Sequence, residues 1–192
     1  MGNDLTTKGS HVSISAFNNL TVELVWTTAV DLDLVVFYKT RDGHSGGVYS
    51  EHYSGGTRGN LAKAPFIELS ADAGLGASGG DNREVLKIAR LDHFEQLCVC
   101  ALNYTGASSN DGAGVWKDYD ARVEVKTDGG QAFRVVLDSA QPGPVAMICK
   151  LLPTFLGSDL VNKSQIMTLE ALRQAAPGAS AFEVSKTASP SP

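Results

Sequence analysis

Val30-Asp31-Leu32-Asp33-Leu34 opens a run that continues through Val35-Val36-Phe37-Tyr38-Lys39, and Asp31–Lys39 reads as one strand. Polar and apolar residues alternate at its start, and on a strand side chains two apart share a face. Asp31 and Asp33 are then like-charged neighbours, each raising the other's pKa unless a cation offsets them. The alternation by itself is equally met by a strand with one solvated face, Leu32 and Leu34 pointing inward.

Outward from this run the same period of two recurs in short pieces. His11–Ala16 and Leu20–Trp26 precede it, divided by the Asn18-Asn19 turn. Arg41-Asp42-Gly43 is a hairpin signal, across which Gly47–Tyr53 pairs back. Pro65–Leu69, Glu84–Arg90, Ala121–Lys126, Ala132–Asp138 and Pro144–Leu152 follow, and the apolar run Gln96–Tyr104 reads as a central strand buried on both sides. Short strands between Gly, Asn, Asp and Ser turns predict an all-β fold, a two-sheet β-sandwich. A short C-terminal helix is expected over Gln165–Ala175, where Ile166, Leu169 and Leu172 recur at helical spacing after a capping Ser164 and before Pro177-Gly178. Residues 179–192 read as a Pro/Ser tail with no core of its own, flexible or bound to a partner. The chain thus divides into a sandwich (1–155), an extension carrying the helix (156–178) and the tail (179–192).

A length of 192 residues with 43% hydrophobic content suits one domain with a full core. The net charge of −5, with scattered Lys and Arg, argues against a nucleic-acid partner. Cys98, Cys100 and Cys149 are odd in number and form no CxxC. They read as buried small hydrophobes in a reducing compartment. The start Met1-Gly2-Asn3-Asp4-Leu5 has neither the basic nor the apolar region of a signal peptide, and no apolar run nears the roughly 20 residues that span a bilayer. A cytoplasmic protein that does not insert into membranes is expected. No Gly-x-Ser-x-Gly, Walker loop or His-Glu-x-x-His occurs, so a non-enzymatic role is expected too.

A second acidic stretch runs from Ser70 to Glu84, its four glycines letting the backbone bend around Asp72, Asp81 and Asn82. Carboxylate, amide and carbonyl oxygens on a flexible loop are the hard ligands calcium prefers. The register is not that of an EF-hand, since Arg83 stands twelfth from Asp72. A fold that joins this stretch to Asp31 and Asp33 makes a calcium-binding module.

Several of these segments together resemble the tellurium-resistance TerD-like stress proteins. Leu5-Thr6-Thr7-Lys8-Gly9-Ser10-His11-Val12-Ser13, then Leu20-Thr21-Val22-Glu23-Leu24-Val25-Trp26, then Asp31-Leu32-Asp33 resemble the family's opening. Gly79-Gly80-Asp81-Asn82-Arg83-Glu84, leading through Ile88 and Leu91 to Leu97–Leu102, looks like its acidic loop and central hairpin. Phe37–Gly43 and Ala64–Leu69 look closest to the TerA-type branch. The similarity runs over roughly residues 5 to 155. It implies a β-sandwich that binds calcium in loops at one edge, one or two ions. It also implies a non-enzymatic stress-response role beside other proteins, tellurium-resistance family members among them. Residue by residue, Asp31 and Asp33 match the Asp-Leu-Asp ligands, Asp72 falls in the first acidic loop, and Asp81, Asn82 and Glu84 match the second. The loop is poorer in carboxylates than the family pattern, which leaves a degenerate site open.

Two alternatives accompany this reading. One is a subunit of a filament or other homo-oligomeric assembly, with the tail crossing to a neighbour. The other is a carbohydrate-binding module in which Trp116, Tyr119 and Tyr104 form a stacking platform; core packing is the other fate of such aromatics.

Overall fold

The alternating segments fold into strands wherever one of their faces finds a partner. In a computed structural model, residues 3–70, 82–108 and 114–184 are described. Thirteen strands succeed one another: β1 Asn3–Asp4, β2 His11–Ser15, β3 Leu20–Trp26, β4 Leu32–Thr40, β5 Ser45–Val48, β6 Gly59–Asn60 and β7 Ile67–Leu69. Then come β8 Asn82–Ile88, β9 Phe94–Asn103, β10 Arg122–Thr127, β11 Ala132–Val136, β12 Val145–Thr154 and β13 Gly157–Met167. Two short helices are α1 (Tyr104–Ser108) and α2 (Leu169–Ala175). One sheet runs β1-β11-β10-β3-β8-β7-β6 and the other β2-β13-β12-β9-β4-β5. The expected two-sheet sandwich is the fold found. No helix of the described residues is long and apolar enough to cross a membrane.

The inner core is built from period-two positions. Leu20, Val22, Leu24 and Trp26 of β3, with Leu86 and Ile88 of β8, pack against Leu34 and Val36 of β4 and Leu97 and Val99 of β9. Burying each such side chain is worth about 1.5–3 kcal/mol. The opposite face of the first sheet is solvated and laced by ion pairs, Glu23 taking Arg83 at 2.5 Å and Lys126 at 3.6 Å.

The second sheet is buried on both faces. Val35 and Phe37 of β4, Cys98, Cys100 and Leu102 of β9, and Met147 of β12 form a second apolar cluster on its outer side. Leu172 of α2 and Phe182 beyond it cover that cluster. β9 is thus the doubly buried strand expected of Gln96–Tyr104, whereas β4 is not the half-solvated strand its alternation also allowed. A bulge between Met147 and Cys149 shifts the register of β12 by one, so Ile148 and Cys149 both face the inner core.

Three expectations change. Gly157–Met167, expected only as part of the extension that carries the helix, is the longest strand among the described residues and pairs with both β12 and β2. Its buried positions include Ser158 and Asn162, so apolar alternation is broken there. Asn162 instead binds the N-terminal segment, its Nδ2 donating to Leu5 O at 2.7 Å and Thr7 O at 3.2 Å. The helix starts later, at Leu169, because Thr168 rather than Ser164 caps it, accepting from Ala171 N at 3.1 Å. Ser164 lies inside β13 with φ of +36°. Finally, Ala179 and Phe182 of the expected tail are fully buried on the outer face of the second sheet. Residues 185–192 lie outside the described residues.

Candidate carboxylate site

β4 and β8 begin at the same end of the sandwich, and their first residues bring acidic side chains together across the two sheets. Trp26 ends β3 with its indole Nε1 donating to Val30 O at 2.9 Å, which turns the chain into Asp31. Asp31 lies one residue before β4, its carbonyl accepting from Tyr104 N at 2.9 Å. Asp33 points outward beside Val35 and Phe37, under the second cluster, and is 1% exposed. Glu84 is equally buried on the inward-facing row of β8, with Leu86 and Ile88. Its Oε2 accepts from Leu34 N at 2.5 Å. That contact ties the first sheet to β4 on the side away from β9.

Tyr53 stands among these carboxylates. It follows β5 in a tight turn, Tyr53 N donating to Ser50 O at 3.1 Å. Its hydroxyl donates to Asp33 Oδ2 at 2.5 Å. Burial pushes the phenol far above its usual pKa, and the charge and hydrogen bond of Asp33, then the charges of Asp31 and Glu84, push it further. Tyr53 therefore stays protonated and acts as a donor. Its ring is locked edge-on to Tyr49 and Tyr104 and tilted against Phe182, with centroids 6.3, 6.1 and 5.4 Å away.

Of the six candidate ligands, Asp33 binds this phenol directly, and Asp31 and Glu84 act on it through their charge. Asn82 lies two residues before Glu84 on the same row of β8, half-buried, with Nδ2 at 3.5 Å from Trp26 O. Asp72 and Asp81 lie outside the described residues. Among the described residues no three His, Cys, Asp or Glu side chains are grouped to hold a metal ion. The side chains of Asp31, Asp33, Glu84 and Asn82 offer carboxylate and amide oxygen, the donor type a hard cation takes. Tyr53 carries no signal in the sequence, because its partner Asp33 is reached only through the fold.

Trp116, Tyr119 and Tyr104 do not form a platform. Trp116 is fully buried, with Nε1 donating to Gly143 O at 2.8 Å. Tyr119 is buried against it and accepts from Asn103 Nδ2 at 2.7 Å. The cysteines are free and buried, as expected.

No family model and no curated protein matches the sequence. Among solved structures, the chain is similar to a homologue of the telluride resistance protein TerD from Streptomyces coelicolor A3(2). The TM-score is 0.57 at 13% identity, over 80% of this chain and 92% of that one. It is also similar to SAV2460, a protein of unknown function, with a TM-score of 0.53 at 13% identity over 79% and 92% of the two chains. The β-sandwich implied by the resemblance in sequence is thus the fold this chain shares with a TerD homologue.

Proposed function

We infer that this protein is a non-enzymatic, calcium-binding module of the tellurium-resistance TerD-like type, serving as a binding or scaffolding element in a stress response in the cytoplasm. The observation that carries this reading is the burial of Asp31, Asp33 and Glu84 at the end of the sandwich where β4 and β8 begin, with Tyr53 bound to Asp33 and under the charge of the other two. Asp31, Asp33, Asn82 and Glu84 would hold the ion, with Asp72 and Asp81 completing the set. A bound divalent cation offsets the mutual repulsion of the carboxylates. The protein's own residues do the rest. Glu84 fixes the distance between sheets through Leu34 N, and Tyr53 orients Asp33. The order of this end, and a protein-binding surface built on it, then depends on calcium. Its partners would be other proteins, family members or further copies of itself.

The test is a calcium titration followed by melting temperature. A ligand at 100 times its Kd stabilises the native state by about 2.7 kcal/mol. A rise that is lost in Asp31→Asn and Glu84→Gln supports the reading. No rise at millimolar calcium, or an equal rise in both variants, sinks it.

Assembly is a second reading favoured by one observation. The β12–β13 turn presents Phe155 at 101% and Leu156 at 78% exposure, two neighbouring apolar side chains in water. Sedimentation of the wild type against Phe155→Ser/Leu156→Ser decides it; the same monomeric mass for both removes this reading.

A further inference from the structure

The opposite end of the sandwich carries a cleft that the carboxylate site does not use. β4 runs from Leu32 to Thr40 and β8 from Asn82 to Ile88, so the turns leaving these strands lie at the far end from Asp33 and Glu84. Between the β4–β5 turn, the chain before β7 and the chain before β9 lies a cavity of about 450 Å³. Ligand pockets of roughly 300–1,000 Å³ hold small molecules. Tyr38, Ala64, Pro65 and His93 supply its apolar surface, and Thr40, Arg41, Asp42 and His44 its polar edge.

The apolar wall is rigid and uncharged. The His93 ring lies 3.8 Å from Phe94 and meets Phe66 edge-on at 5.2 Å, while Tyr38 meets Phe94 at 5.3 Å. Both His93 nitrogens are shielded from water and lack a hydrogen-bond partner, Nδ1 standing 3.9 Å from Asp92 Oδ1. Burial lowers the pKa of the imidazole against the pull of Asp92, so the ring is neutral at pH 7. Phe66 is held in the left-handed region at φ of +59°, strained for a bulky side chain, by bonds from its N to Lys63 O at 2.7 Å and from Ala89 N to its own O at 2.9 Å. Such strain gathers at binding sites, where the surroundings over-determine the backbone.

Two guanidinium groups, Arg41 and Arg90, and two carboxylates, Asp42 and Asp92, lie around the cleft, and of these Arg41 makes no ion pair among the described residues. Asp92 is gripped by Arg90, through Nε at 2.7 Å and through Nη2, and Asp42 pairs with His44 Nδ1 at 3.2 Å and with the Thr40 hydroxyl. Both acids are held near pKa 2 by these partners and are ionised, Asp92 against the Arg90 guanidinium. Arg41 is anchored by its own backbone, N to His93 O at 2.9 Å, and by Nε to Asp92 O at 2.9 Å. Arg41 lines the cleft, and its guanidinium carries the planar fork of donors that matches a carboxylate.

We propose that this cleft is a binding site for a small aromatic carboxylate, its ring against Tyr38, Pro65 and His93 and its anion on Arg41. A flat ring fits a wall of three planar apolar surfaces, and the Arg41 guanidinium, which makes no ion pair among the described residues, suits a single negative charge. The site is independent of the calcium reading, since it shares no residue with it.

The test uses the full chain and benzoate as the probe, with benzamide and acetate as controls, read by amide shifts in ¹H–¹⁵N spectra. Benzoate is expected to shift the amides of residues 40–44, Ala64, Phe66 and His93, and to leave those around Asp33 and Glu84 unmoved. Benzamide and acetate are each expected to bind at least tenfold more weakly. Arg41→Gln should lower benzoate affinity at least tenfold while the rest of its spectrum overlays the wild type. Ala64→Leu, which narrows the cleft and leaves the charge in place, should lower it as well. Benzoate leaving these amides unmoved overturns the proposal. Equal binding of benzamide removes the anion from it, equal binding of acetate reduces it to an exposed arginine, and unchanged affinity in both variants places the ligand elsewhere.

Discussion

Replacing Tyr53 by Phe removes one hydroxyl from the centre of the carboxylate site and little else. The Tyr53 hydroxyl donates to Asp33 at 2.5 Å, and Asp33 is 1% exposed. A hydrogen bond to a charged group contributes about 1.5–3 kcal/mol. The ring contacts to Phe182, Tyr104 and Tyr49 survive, so no cavity opens. The expected loss in calcium-free buffer at pH 7 is therefore about 1.5–3 kcal/mol. Urea unfolding reads it directly. With m of about 1–3 kcal/mol/M, the midpoint should fall by about 1 M at constant m. Saturating calcium should narrow the gap, because the cation then offsets the charge that the phenol now helps to hold. Tyr53→Ala should cost a further several kcal/mol by removing the ring, as large-to-alanine core changes do. An unchanged midpoint in Tyr53→Phe would show that Asp33 does not depend on this donor, and the reasoning about the site would fail with it.

Other outcomes follow from the same structure. Phe182→Ala empties a fully buried position against Phe37, Tyr49 and Tyr53, so urea unfolding should show a loss of about 3–5 kcal/mol, against near zero for a loose tail. Asp42 and Asp92 have pKa values lowered from 3.8 to about 2, so the stability they lend is complete above about pH 4 and is lost as pH falls towards 2. Both are exposed and the loss is small; it should flatten in Asp42→Asn/Asp92→Asn when melting temperature is followed across that window. Burial pushes the Cys149 thiol up to about 12 and raises those of Cys98 and Cys100, so iodoacetamide at pH 8 should label none of the three until urea unfolds the chain.

The strands were legible because a sheet's period of two is written locally. Leu20–Trp26 matches β3 end to end, and Gln96–Tyr104 overlaps β9. Gly157–Met167 was illegible for the converse reason, since buried Ser158 and Asn162 satisfy backbone groups of other segments instead of contributing apolar surface. Asp31, Asp33 and Glu84 were legible as acids in suggestive places, but the phenol that binds Asp33 was not. Trp116 and Tyr119 illustrate the limit from the other side, because a loop aromatic looks the same in sequence whether it faces solvent or core.

The sequence by itself determined which residues alternate, hence the all-β class, the inner core and the acids that open β4 and β8. These are properties of neighbouring residues and of short-range backbone geometry. Only the tertiary structure decided that β4 is covered on both faces, that Tyr53 reaches Asp33 and that Phe182 folds back over both. It alone also set His93 and Arg41 around one cleft. Each of those depends on which distant segment lies against a face, and burial, pairing and pKa are set by that neighbour rather than by the residue itself.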